Sequence, residues 1–271
     1  MTKIVFVGAG AMAEAIINGL TKGNKISPEF IHVTNKSDVS QLNYLKETYD
    51  VQIVCEQKKA ITEANIIFLA MKPKDANDAL NSLAPYINKD ATIISVIAGI
   101  SIQTILNSLG NRPIARVMPN TSAAVGMSAS AICWNELISD GSKLLIIDLL
   151  ESIGSVKVVA EEDLHVVTAL SGSGPAYFYY FAEQFESAAI KYGLEKGDAR
   201  QLFIQTMEGA AQMLKNGDAE PEELRRRVTS PGGTTEAGLE QLMAHKVNEA
   251  IFACIQAAQN RSRELGKLFE S

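Results

Sequence analysis

The chain has 271 residues, 46% hydrophobic and 21% charged. That is ample apolar material for a packed core, so extensive disorder is excluded and two domains are expected at this length. Asp and Glu outnumber Lys and Arg by 31 to 25, a formal charge of −6, which withholds the basic surface that nucleic-acid binding needs for counterion release. Cys55, Cys133 and Cys254 are far apart, and His32, His165 and His245 are equally scattered. Without CxxC, HxxxH or HExxH spacings, neither a disulfide framework nor a metal site is expected, and the three cysteines read as reduced, buried thiols.

Residues 4–7, 31–34, 66–69, 92–96 and 114–117 are short, β-branched, near-continuous apolar runs, the composition of strands covered on both faces in a parallel sheet. Helix-compatible stretches lie between them at 11–22, 39–48, 75–83 and 102–109. Strands alternating with helices build right-handed βαβ units and hence a doubly wound sheet. Weaker strands at 128–133 and 156–159 bracket a helix near 143–152 and are expected to complete that sheet. The stretch 117–135 carries no charge for 19 residues, but Pro119, Asn120, Thr121 and its serines break the apolar continuity a membrane span requires. Residues 4–13 resemble a secretory signal only superficially, because Glu14, Ile16, Ile17 and Leu20 continue them as an amphipathic helix. A cytoplasmic protein is expected.

Beyond residue 161 the strand signal vanishes, and 163–170, 175–192, 196–216, 221–228, 235–245 and 248–265 read as helices. The expected organisation is a dinucleotide-binding sheet domain over 1–160 and an all-helical domain over 161–271. Phe178, Phe181, Phe185 and Ala189 recur at helical spacing and read as a core face. A second stripe, Val247, Ala250, Ile251, Cys254, Ala257 and Ala258, is rich in small residues that permit close helix approach. A helical core this small invites completion by a second subunit.

Gly8-Ala9-Gly10-Ala11-Met12-Ala13 directly follows the first strand and opens the first helix, the context that raises a GxGxx(G/A) pattern to a Rossmann-type dinucleotide fingerprint. Gly8 permits the tight turn, Gly10 the approach of a pyrophosphate, and Ala13 close packing of helix on strand. The helix start offers N–H groups and a positive dipole end to phosphates. At the tip of the second strand stand Asn35, Lys36 and Ser37, with no carboxylate placed to accept from a ribose 2′-hydroxyl. This favours NADPH, with NADH possible if Asp38 shifts to the tip. Two further strand ends point at the same crevice, Ala70-Met71-Lys72-Pro73 and Ala98-Gly99. Lys72 admits two roles, a catalytic acid or a solvated lysine in a turn fixed by Pro73. Asn120, after the next strand, is placed to hydrogen-bond a carboxamide or a substrate.

The helical part contains two glycine-rich helix starts, Ser171-Gly172-Ser173-Gly174-Pro175 and Thr229-Ser230-Pro231-Gly232-Gly233-Thr234-Thr235-Glu236. Each reads either as an ordinary cap or as an anion site. Exposed N–H groups over 230–235 suit a substrate carboxylate without any arginine.

Taken together, the fingerprint at 8–13, Phe68-Leu69-Ala70-Met71-Lys72-Pro73, Arg116-Val117-Met118-Pro119-Asn120-Thr121 and the two glycine-rich helix starts resemble, in order and spacing, the pyrroline-5-carboxylate reductase family. The resemblance covers nearly the whole chain, and its last two motifs are highly specific. It implies the final step of proline biosynthesis, reduction of L-1-pyrroline-5-carboxylate to L-proline with NAD(P)H. It also implies a homodimer of interleaved C-terminal helices, often assembled into a decamer. Carried over by position, Ala70, Lys72, Pro73, Ala98 and Gly99 border the cofactor, Asn120 lies by the nicotinamide, and Ser230, Gly232, Gly233, Thr234 and Thr235 hold the substrate. Ser122, Gln57 and Ala11 depart from the family's commoner proline, asparagine and asparagine.

That chemistry suits a chain without a His–Asp pair. A protonated cyclic imine is a strong hydride acceptor and takes its proton from solvent or from a hydroxyl such as that of Thr235. The amides of Gly232 and Gly233 with the Ser230 hydroxyl are expected to orient the carboxylate. A β-hydroxyacid dehydrogenase would need Lys191 or Lys196 as proton donor, and neither has the helix-start setting such enzymes use. A non-catalytic NADPH-binding protein would bind cofactor without oxidising it.

Overall fold

The computed structural model describes residues 2–54 and 56–268. Its sheet part contains β1 (Ile4–Val7), α1 (Ala11–Lys22), β2 (Ile31–Thr34), α2 (Val39–Tyr49), β3 (Gln52–Ile53), α3 (Gln57–Thr62), β4 (Ile66–Leu69), α4 (Ala76–Leu83), β5 (Thr92–Ser95), α5 (Ile102–Leu109), β6 (Ile114–Met118), β7 (Ser128–Trp134), α6 (Asp140–Leu150) and β8 (Gly154–Val158). The eight strands lie in the order β3-β2-β1-β4-β5-β6-β7-β8. The first six are parallel, β7 runs antiparallel to β6, and β8 pairs parallel with β7. The strand order reverses between β1 and β4, the switch point at which an open α/β sheet leaves a crevice beyond its strand ends.

Continuous apolar strands bury both faces, and the core divides accordingly. Ile4, Phe6, Val33, Phe68 and Ile94 pack on one face with Ile16, Ile17 and Leu20 of α1. Val5, Val7, Ile67, Leu69 and Ile93 pack on the other with Leu80 of α4 and Ile105 and Leu109 of α5. The Phe6 and Phe68 rings stack across β1 and β4 with centroids 4.6 Å apart, an offset arrangement that adds about 0.5–1.5 kcal/mol to their area burial.

Three features differ from the sequence-based expectation. β3 and α3 are too short for hydrophobic periodicity to reveal them. The helix expected over 163–170 is α7 (Leu164–Val167) followed by a π-helical turn, Thr168–Gly172. That turn is drawn open where Asn120 reaches the Ser171 carbonyl. Of the three cysteines, Cys133 is buried but Cys254 is exposed, and Cys55 lies outside the described residues.

By packing, one compact unit runs to Ser173 and takes up the chain again from Ala257; the other is Gly174–Gln256. The second unit holds α8 (Gly174–Lys191), α9 (Lys196–Asn216), α10 (Pro221–Arg227), α11 (Thr234–Ala244) and the first half of α12 (Val247–Lys267). α8 and α9 meet through stacked Phe185 and Phe203 rings, centroids 4.8 Å apart, and through Glu186, which accepts from Arg200 at 2.8 Å. The stripe read as a core face stays largely open: Phe178, Phe181 and Phe185 are exposed, as are Tyr179, Tyr180, Ile251 and Phe252.

Candidate functional site

The first turn of the fingerprint is built by close approach. Gly8 has φ +107°, donates its N–H to the Thr34 carbonyl at 2.9 Å, and leaves no room for a side chain, since a Cβ there would sit 2.6 Å from the Ala70 carbonyl. Gly10 is the N-cap of α1, in extended backbone, and a Cβ on it would meet nothing within 4 Å. Ala13 is buried under the helix, Met12 is half-buried against the core, and Ala11 is exposed at the mouth. A glycine cradle with open space above a helix N-terminus fits a dinucleotide pyrophosphate in shape and in dipole sign.

Beyond β2, Asn35 is half-buried and Lys36 and Ser37 are exposed. Asp38 is the N-cap of α2, its carboxylate accepting from the Gln41 amide at 2.9 Å. The one acid near that tip is thereby committed to its helix, and a lysine and two small polar groups remain for a ribose phosphate. Glu14 ties α1 to α2 by accepting from Gln41 and Tyr49. Burial, with the Glu14 charge beside it, pushes the Tyr49 hydroxyl up to about 12.

Ala70 donates its amide to Val7 at the end of β1. Lys72 caps a short turn with Pro73 at its first position, and its side chain is exposed. Ala98 is exposed beyond β5, and Gly99 has φ +80°. Asn120 is buried and hydrogen-bonded to three protein groups. Its Nδ2 donates to Ser171 O at 3.0 Å, its Oδ1 accepts from the Ser122 amide at 3.1 Å, and its own amide donates to Ser128 Oγ at 3.1 Å. It therefore fastens the end of β6 to the turn 168–172, a connection its sequence position did not reveal.

At the second glycine-rich start, Gly232 has φ +72° and Gly233 is the N-cap of α11. The amides of Gly232 and Gly233, expected to hold a carboxylate, already have acceptors: Gly232 N–H donates to Glu236 Oε2 at 2.7 Å and Gly233 N–H to Ser230 O at 3.0 Å. The turn closes on itself because Glu236, in the first turn of α11, folds back as a cap. The donors left are the first amides of the helix, at Thr234 and Thr235, which have no intrahelical acceptor. The Ser230, Thr234 and Thr235 side chains stand exposed beside them. Lys196 opens α9 behind the Glu195 cap, contrary to the expectation from sequence, and pairs with Glu186 at 3.9 Å, while Lys191 ends α8 at the surface.

Among the described residues no cluster of three or more His, Cys, Asp or Glu could hold a metal ion. Nor is any helix among them long and apolar enough to cross a membrane.

The family model for pyrroline-5-carboxylate reductase dimerisation matches residues 161–265, and that for NADP oxidoreductase, coenzyme F420-dependent, matches residues 3–99. Pyrroline-5-carboxylate reductase 2 of Bacillus subtilis is 46% identical over 270 residues, covering 99% of this chain and 97% of its own. Among solved structures, a pyrroline-5-carboxylate reductase of Coxiella burnetii superposes with a TM-score of 0.91 at 33% identity, covering 97% of this chain and 98% of its own. The Plasmodium falciparum pyrroline carboxylate reductase, solved with NADP bound, gives 0.88 at 28% identity, covering 98% of each. The chain belongs to the pyrroline-5-carboxylate reductase family and is an NAD(P)H-dependent oxidoreductase of proline biosynthesis.

Proposed function

We propose that this enzyme reduces L-1-pyrroline-5-carboxylate to L-proline with NADPH as its preferred donor, and that the residues just described divide the work. The observation that carries the cofactor preference is Asp38: turned onto α2, it is not offered to a ribose 2′-hydroxyl, and Lys36 stands in the same loop. The turn at Gly8 and Gly10, with the amides that open α1, would hold the pyrophosphate, and Ala70, Pro73, Ala98 and Gly99 would border the rest. The bound nicotinamide supplies a hydride. Asn120 acts here by positioning, one Nδ2 proton holding the Ser171 carbonyl and its Oδ1 the Ser122 amide.

For the substrate, the Thr234 and Thr235 amides and the Ser230 hydroxyl orient the carboxylate, while the Gly232 and Gly233 amides keep the loop in shape. The imine nitrogen takes its proton from solvent, the Thr235 hydroxyl hydrogen-bonds it there, and the imine carbon of that iminium accepts the hydride. Lys72, exposed in its turn, has no part in that proton transfer. Thr235→Ala is expected to lower kcat/KM by about 10–100-fold, the loss of one hydrogen bond worth roughly 1.4–2.7 kcal/mol. Thr235→Ser should recover most of it. Steady-state oxidation of NADPH dependent on pyrroline-5-carboxylate measures both, and an unchanged Thr235→Ala removes the residue from the mechanism.

The oligomer is a homodimer formed through the C-terminal helices, which the exposed aromatic stripe of α8 and the dimerisation model over 161–265 support. We retain residue 161 as the start of that helical domain. A cytoplasmic location accords with a reduced nicotinamide donor and free thiols at Cys133 and Cys254.

A further inference from the structure

The loop that joins β5 to α5, residues 96–101, is held from two directions by residues far away in sequence. One is Glu161. Its Oε1 accepts both the Ile102 backbone N–H at 2.8 Å, at the first residue of α5, and the Arg116 guanidinium at 3.0 Å. Arg116 is 3% exposed in the middle of β6, and its Nε has no partner, so the Glu161 carboxylate is the counter-charge that permits this buried cation. The other is the last helix. Gly266 of α12 comes so close to the loop that a Cβ on it would stand 3.3 Å from the Gly99 carbonyl oxygen, and a Cβ on Gly99 would stand 3.6 Å from the Gly266 nitrogen. His165 Nδ1 and Ser262 Oγ, 3.0 Å apart, fasten the same stretch of α12 to α7.

We propose that Glu161 and Gly266 are positioning residues for the cofactor loop at Ala98 and Gly99. The inference rests on the assignment of that loop to the cofactor. The physical reason is the conformation itself: Gly99 sits at φ +80° between an exposed Ala98 and a fully buried Ile100. A left-handed residue flanked by one anchored and one free neighbour has several alternatives unless both of its sides are fixed. Glu161 fixes the downstream side by holding the first amide of α5. Gly266 packs against Gly99 itself, its nitrogen 3.6 Å from where a Gly99 Cβ would stand, and a side chain at 266 would crowd the Gly99 carbonyl oxygen. Glu161 is the first residue matched by the dimerisation model and Gly266 directly follows its last, residue 265. The helices that build the dimer thus have a direct mechanical hold on the loop.

The test uses the full-length enzyme and two readouts that need no turnover: NADPH Kd from the quenching of protein fluorescence, and hydrogen exchange of the peptide covering 97–103 in the absence of ligand. Gly266→Val and Glu161→Ala are expected to raise the NADPH Kd by about tenfold, one hydrogen bond's worth, and to accelerate exchange in that peptide. The KM for pyrroline-5-carboxylate should stay within about twofold. Glu161→Gln, which keeps an acceptor for Ile102, should recover most of the affinity. Should Glu161→Ala leave Arg116 uncompensated and unfold the chain, Gly266→Val carries the test alone. Variants that fold, lose thermal stability and bind NADPH with wild-type affinity overturn the proposal, as does a rise confined to the KM for the imine. Ala98→Leu, a change at an exposed position of the loop, separates the premise from the inference. If it leaves the NADPH Kd unchanged, the loop does not border the cofactor and both fall; if it weakens binding while Gly266→Val does not, only the bracing is wrong.

Discussion

Gly8 and Gly10, two residues apart in one motif, do different physical work. Gly8 is required by the fold, because its left-handed backbone and its contact with Ala70 exclude any side chain. Nothing in the fold requires a glycine at position 10, because its φ of −75° suits any residue and a Cβ on it would point into open space, so the proposed pyrophosphate contact is the demand it would answer. Gly8→Ala is therefore expected to destabilise the enzyme by about 2–4 kcal/mol, read as a fall in the denaturant midpoint. Gly10→Ala should leave that midpoint in place and raise the NADPH Kd by about tenfold or more, read by titration. At this scale the sequence was legible where a residue type answers a local demand, as both glycines do. It was silent where the demand is set at long range. Nothing in the motif around Asn120 reveals that its amide spans 51 residues to reach Ser171.

Strands β6 and β7 show how an element imposes chemistry on a residue. Their antiparallel register sets Cys133 opposite Arg116, and burial, with the Glu161 charge adding to it against Arg116, pushes the Cys133 thiol up to about 12. The unfolded thiol titrates near 9.0. The stability held by the native, protonated thiol is thus fully present below pH 9 and is lost as pH rises through about 12. In the native enzyme Cys133 is expected to resist maleimide at pH 8 and to react only after unfolding, which mass spectrometry of the labelled peptide checks; rapid native labelling would show that β6 and β7 open locally. Helices and strands of four or more residues with clear periodicity were legible. β3, α3 and the π-helical turn after α7 were not, since two-residue pairing and a helix widened by a distant hydrogen bond leave no periodic signature.

For the whole molecule, the decisive quantity is the apolar surface left uncovered. Phe252 is 77% exposed, and Phe178 and Phe185 remain open on α8, far more than a monomeric helical domain sustains. Phe252→Glu is expected to convert the proposed dimer to a species of single-chain mass, 29.2 kDa, in light scattering, with kcat/KM falling in parallel. A variant that stays dimeric would place the interface elsewhere on the helices. Dimer dissociation should also make the wild-type melting temperature depend on protein concentration.

What depends on neighbours along the chain could be read in advance: the alternation that builds the doubly wound sheet, the glycine turn ahead of α1, and the missing acid beyond β2. Folding settled which polar groups remain available: Asp38 and Glu236 became caps of their own helices, the turn at 230–233 closed on itself, and Asn120 was carried to a carbonyl 51 residues away. The physical reason is that hydrogen-bonding capacity is finite and must be met wherever water is excluded. Residue type fixes how many bonds a group can make, but the fold fixes which partners come within reach.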